Sequence, residues 1–147
     1  MFQDRPLSEF LDRVELHVEA INTALAEIPR DRVRLHVCFG NWDGPHIDDI
    51  ELGPVLPLIY KAKVGGLSLS CANPRHQHEY KAIRKHRPPT EMAVLPGVID
   101  VTTNYLEHPE VVADRILPMG RCGRGSGAHY REHRLRVRIV CEFRFCC

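Results

Sequence analysis

The sequence predicts an α/β fold in which parallel strands are joined by helices, on three observations. Apolar residues recur at three- and four-residue steps along the first stretch, which marks a long amphipathic helix. Three short apolar runs, 33–38, 66–70 and 92–99, then read as strands, and each is followed by a polar loop and a segment with helical signals. Strands that alternate with helices pair in parallel through right-handed crossovers, as in a β/α barrel or an open doubly wound sheet.

Each element has its own reason. Leu7, Phe10, Leu11, Val14, Val18, Ile21, Leu25 and Ile28 share one helical face that ends near Pro29. Residues 33–38 are apolar at alternate positions and run into Gly40, Asn41, Asp43, Gly44 and Pro45, so a strand opens into a loop. Residues 52–63 can form a second helix, 66–70 a second strand, and 76–85 a third helix that stops before Pro88 and Pro89. Residues 92–99 make the third strand. Pro109 followed by Glu110 then places proline and an acid at a helix start that leads through Val111, Val112 and Ile116.

Size and composition bound the function. At 147 residues, 44% hydrophobic and 27% charged, the chain suits one domain with a sizeable core. Met1 to Pro6 carry no apolar leader core, and no window approaches a membrane span, so we expect a cytoplasmic protein with no membrane partner. The overall charge of +1 is unevenly spread. From Pro118 onward seven arginines face two glutamates, a net +5 that leaves residues 1–117 at −4. Those arginines could touch phosphates, but no aromatic interleaving or helical period would position them, so no nucleic-acid partner is expected. Cys38 and Cys71 precede four tail cysteines, and two thiols in the patterned part do not suggest a disulfide framework.

In folds of this kind the chemistry sits on the loops after the strands. The first loop offers Asn41, Trp42, Asp43, His46 and Asp48, the second Asn73, Arg75, His76, His78 and Glu79, and the third Asp100, Thr102, Thr103 and Asn104. Asp48, Asn73, His76, Glu79 and Asp100 are candidate substrate-binding residues by rim position, although Asn73-Pro74 and Asp43-Gly44 are also ordinary turn formers. His36 and Cys38, one residue apart, would point to the same face of a strand near its C-terminal end. They are candidate zinc ligands, or a packed histidine with a free thiol.

Three stretches carry a family resemblance: His-Val-Cys-Phe-Gly-Asn-Trp-Asp-Gly-Pro-His at 36–46, Ala-Asn-Pro-Arg-His-Gln-His-Glu at 72–79, and Pro-Gly-Val-Ile-Asp at 96–100. With them the run 32–116 resembles the cobalamin-independent methionine synthase family, in particular its short methionine synthase II-like members built on the C-terminal catalytic barrel. The resemblance implies a (β/α)8 barrel and a zinc ion held by the His and Cys of a His-x-Cys strand, a Glu on a following strand and a distant Cys in an Asp-Cys-Gly motif. His36 and Cys38 match the first two ligands. The implied reaction is that of 5-methyltetrahydropteroyltriglutamate-homocysteine S-methyltransferase, in methionine biosynthesis, with a small-molecule thiol and a methyl donor as partners. Zinc suits it because a thiol becomes a good nucleophile only as the thiolate, which the metal generates at neutral pH. Relatives that open epoxides with coenzyme M use the same activation.

The chain departs from the family at named places. Ser70 stands where the Glu ligand is expected, and Thr102 where the methionine synthases proper carry a catalytic His two residues after the position of Asp100. After Leu117 arginine and cysteine become abundant and lysine disappears. With permitted codons for Pro118 to Cys122, a reading frame shifted by one base and continued to Cys147 yields Thr-Asp-Cys-Gly-Phe-Gly, the family's zinc-cysteine motif. We therefore expect a partial barrel over 1–117 and a frameshifted, disordered basic tail over 118–147. A complete barrel needs about 250 residues and eight strands, so three units are expected to be a fragment of the C-terminal half, inactive alone. The expected function is that of a fragment of a zinc-dependent methyltransferase. The alternatives are thiol alkylation like that of the epoxide:coenzyme M transferases, or a non-catalytic remnant without metal.

Overall fold

The structure is a computed structural model that describes residues 5–42 and 44–120. Helix α1, Leu7–Ala24, leads into β1, Arg34–Val37; then follow α2, Leu52–Ile59, β2, Gly66–Ser70, α3, Tyr80–Lys85, β3, Ala93–Gly97, and α4, Pro109–Gly120. Single 3-10 turns at Arg30–Arg32 and Gln77–Glu79 precede β1 and α3. The strands form one sheet in the order β1-β2-β3, both pairings parallel. The chain is thus α/β with a three-stranded parallel sheet. Among the described residues no further strand continues it toward a barrel wall.

Register divides the sheet into two faces. Leu35, Leu67 and Val94 are in line across the three strands, as are Val37, Leu69 and Pro96. Leu67, Leu69 and Val94 join Leu56, Ile59, Val64 and Ile83 in the core beneath the helices, with Leu35 and Val37 packed against it. Full burial of a leucine such as Leu56 or Leu67, both without exposed surface, contributes about 1.5–3 kcal/mol. His36 and Ser68 lie in register between those rows, on the opposite face.

Helix α1 docks through Asn22, whose Nδ2 donates to the Lys61 carbonyl at 3.0 Å and whose Oδ1 accepts from the Lys63 amide at 2.7 Å. The helix ends at Ala24 rather than near Pro29, because Ala26 and Ile28 bond to the carbonyls of Thr23 and Leu25 in tight turns. A residue that precedes proline is pushed out of the helical region, so Ile28 could not have continued it. Helix α2 stops at Ile59 rather than at residue 63. It ends there because Lys61 and Ala62 bond three residues back, to Leu58 and Ile59, as the chain turns toward β2.

The strands are one to two residues shorter than expected at their ends, except β2, which matches. Pro96 sits within β3 and lacks an amide hydrogen; it is tolerated because β3 is an edge of the sheet among the described residues. Helix α4 starts at Pro109 as its sequence indicates and runs through Pro118 to Gly120, with Met119 buried. The boundary expected at 117/118 falls inside this helix, and of the tail expected over 118–147 the residues 121–147 lie outside the described residues. No described helix is long and apolar enough to cross a membrane.

Candidate functional site

The C-terminal ends of the three strands surround a small cavity of about 120 Å³, lined among others by His36, Cys38, Ser68, Ser70, Asn73 and Asp100. His36 lies on β1 with its Nδ1 3.1 Å from the Ser68 Oγ of β2. Cys38 lies just past the end of β1, an exposed free thiol. It also borders a second cavity of about 580 Å³, between the start of α1 and the β1–α2 loop, whose lining includes Phe10, Asp48 and Asp49. That volume is in the range of small-molecule sites. Gly40, at φ +88°, turns the chain away from β1 through a conformation that L side chains rarely adopt.

Beside this end of β1 the β1–α2 and β2–α3 loops meet in a network that is buried at His76 and Glu79 and half-buried at His46 and Asp49. A single oxygen of Asp49, Oδ2, lies 2.6 Å from His46 Nδ1 and 2.8 Å from His76 Nε2. The remote nitrogens are also held: His46 Nε2 lies 2.9 Å from the Trp42 carbonyl, and His76 Nδ1 lies 2.9 Å from Glu79 Oε1. The other oxygen of Glu79 accepts from the Leu52 amide at 2.7 Å, at the start of α2. Phe39 lies flat on the His76 ring, centroids 3.5 Å apart and planes within 3°. Gly44 makes room for this loop, since a Cβ there would come within 2.2 Å of the Trp42 indole nitrogen.

Proton counting fixes what this network needs. A carbonyl only accepts, so His46 Nε2 carries the hydrogen toward Trp42. The opposite nitrogen faces a carboxylate oxygen, and a stable contact there requires a proton or another cation between them. Burial is the strongest single influence on His46 and opposes its charge, yet Asp49 and the Trp42 carbonyl together raise its pKa above the ordinary 6.5. Asp49 is pushed upward by burial, but its bonds to His76 and His46 outweigh that and hold its carboxyl below the usual 3.8.

The remaining rim candidates have local partners. Asn73 Oδ1 accepts from the Arg75 amide at 2.8 Å in a short turn. Asp100 is buried, and its Oδ1 accepts from both the amide and the hydroxyl of Thr102, at 3.0 and 2.7 Å. Its own amide donates to Glu107, which pairs with Arg115 of α4. Cys71 borders the same cavity as His36, but burial and the charge of Glu79 push its thiol up to about 12. It remains a thiol at neutral pH.

Seven residues stood out in the sequence, and they separate into three places. His36, Cys38, Asn73 and Asp100 share the small cavity; His76 and Glu79 belong to the histidine–carboxylate network; the exposed Asp48 lines the larger cavity beside Asp49. Asp49 and His46 complete the network. The signal that could have found them is the repeated spacing of three, His46 to Asp49 and His76 to Glu79, on two successive loops.

The small cavity and the histidine–carboxylate network differ in fitness for a metal. His36 and Cys38 supply one nitrogen and one sulfur, while Ser70 and Cys71 beside them supply a neutral hydroxyl and a protonated thiol. A zinc centre takes about four donors, so the pair is at most half of one. Among the described residues, the group that brings three such donors within 4.8 Å of one another is His46, Asp49 and His76. That group could hold a metal ion.

No family model matches the chain, and no solved structure matches it. The chain is similar to the 2-hydroxypropyl-CoM lyase of Xanthobacter autotrophicus strain Py2, with 27% identity over 124 residues that cover 67% of this chain and 33% of that protein. It thus spans about a third of the length of the curated relative it matches.

Proposed function

We propose that the chain is part of an enzyme that forms or breaks a carbon–sulfur bond to a small-molecule thiol such as coenzyme M. The observation that carries this reading is that β1 delivers His36 and Cys38 to one cavity at the C-terminal ends of parallel strands. That is where such folds place their chemistry. The similarity to a lyase of 2-hydroxypropyl-CoM favours thioether chemistry over methyl transfer from a folate. Methionine synthesis, which the sequence motifs brought forward first, becomes the second reading. It rests on the same two residues.

When bound, zinc would supply acidification of the substrate thiol. His36 and Cys38 would hold it together with donors from outside the described residues. Within this chain, Ser68 steadies the His36 ring at 3.1 Å. Asp100, locked by Thr102, shapes the wall across the same cavity. In the alkylating direction with an epoxide, a carbon–sulfur bond forms, a ring carbon–oxygen bond breaks, and the freed oxygen takes up a proton.

The test is an assay of thioether formation by the chain, and by the longest protein that contains this segment, with two substrate pairs. Coenzyme M with epoxypropane should yield product that is lost in His36→Ala and Cys38→Ala; homocysteine with a methylated folate should not. Product from the second pair alone would return the function to methionine synthesis. Product from neither pair would remove both readings.

A further inference from the structure

We propose that His46, Asp49 and His76 form a divalent-metal site of their own, separate from the His36 and Cys38 pair, that clamps the β1–α2 loop to the β2–α3 loop. The geometry has the two layers that metal sites require. In the inner layer, one nitrogen from each imidazole converges on a single carboxylate oxygen, at 2.6 and 2.8 Å, and all three donors lie within 4.8 Å of one another. In the outer layer, each ring is anchored by its other nitrogen, His46 on a main-chain carbonyl and His76 on Glu79. Histidine ligands characteristically hold that second nitrogen on a carbonyl or a carboxylate, which fixes the tautomer and the ring orientation. Glu79 is itself fixed by the Leu52 amide, and Phe39 covers the face of His76. Histidines that merely close a surface ion pair have no need of such support.

The donor set points the same way: two imidazole nitrogens and a carboxylate oxygen already face one another across the gap between the two loops. Tetrahedral bonds of about 2.0–2.1 Å set donors about 3.4 Å apart, so His46 Nδ1 and His76 Nε2 each need only move somewhat further from Asp49 Oδ2 than the observed 2.6 and 2.8 Å. Two imidazoles and one carboxylate suit zinc, cobalt or nickel rather than magnesium or calcium. Asp49 also lines the larger cavity.

The site stands independently of the thiol-alkylation reading, and one set of variants separates the two. The full chain, stripped with chelator and titrated with Zn²⁺ or Co²⁺, should retain one ion per chain when His36 and Cys38 are both replaced by alanine. His46→Ala and Asp49→Asn should each weaken that binding at least tenfold, with far-UV dichroism unchanged. Asp49→Asn keeps the shape of the cluster and decides the matter if the alanine variant does not fold. In the His36→Ala, Cys38→Ala protein, bound Co²⁺ should show visible d–d bands without the near-ultraviolet sulfur charge-transfer band. An ion lost from the His36→Ala, Cys38→Ala protein but kept by Asp49→Asn would overturn the proposal, as would no binding by the unaltered chain.

Discussion

Cys38 and Cys71 flank the same cavity and differ in what burial does to them. Cys38 is exposed, whereas Cys71 is buried with its thiol pushed up to about 12. Thiolate is the reactive form. Iodoacetamide at pH 8 should therefore label Cys38 within minutes and leave Cys71 intact until denaturant is added, as peptide mass spectrometry of each site would show. Labelling of both at equal rates in the native protein would mean that the second strand is open. The sequence showed both cysteines but not this difference, because burial of position 71 is set by the packing of β2 between its neighbours, not by adjacent residues. His46 and Asp49 give a second residue-scale prediction. The raised pKa of His46 stabilises the fold below its ordinary value of 6.5 and loses that contribution as pH rises through the folded pKa. The lowered pKa of Asp49 stabilises above 3.8 and is lost as pH falls through its folded value. The urea midpoint of metal-free protein should thus be highest between about pH 4 and 6.5 and decline above that range. In His46→Gln the decline attributable to His46 should vanish.

At the scale of elements, helix α2 shows how one loop completes another. Its N-cap residue, Glu51, makes no side-chain capping bond, and the first turn holds no acid. Glu79, 27 residues further on, accepts from the Leu52 amide instead and brings negative charge to the helix start. Glu79→Ala should cost about 2–3 kcal/mol in urea denaturation, since it leaves a buried amide and one side of His76 unpartnered. Glu79→Gln, which keeps an acceptor for Leu52, should cost less. Equal losses in the two would show that the charge, not the bond, matters. The order of strands and helices was legible from hydrophobic periodicity, and β2 matched residue for residue. Helix ends were less legible, as Ile59 and Ala24 show, because turns at Lys61, Ala62 and Ile28 depend on where the next strand must begin. The pair His36 and Cys38 could be read from local spacing. For His46, Asp49 and His76 the spacing of three within each loop could mark the residues, but not that they converge, since the cluster forms only when two loops separated by a helix and a strand meet.

For the whole molecule, the open sheet is the decisive property. The outer edges of β1 and β3 have no strand partner among the described residues, and Tyr105 and Leu106 on the β3–α4 loop are almost fully exposed. Unpaired strand edges offer rows of amide and carbonyl groups to any other chain, and exposed apolar residues beside them add to the attraction. The relative with a matching segment is about three times longer than the portion this chain covers, so in that protein further chain is available to lie beside such edges. Sedimentation velocity of the isolated chain should accordingly show an apparent mass that rises with concentration over the micromolar range. Tyr105→Lys with Leu106→Lys should lower that association without changing the urea midpoint, because neither residue is buried. Association that persists unchanged in this variant would assign it to the strand edges. A monodisperse monomer at every concentration would mean that the edges are covered within the chain itself, and that the sheet is complete as a unit with three strands.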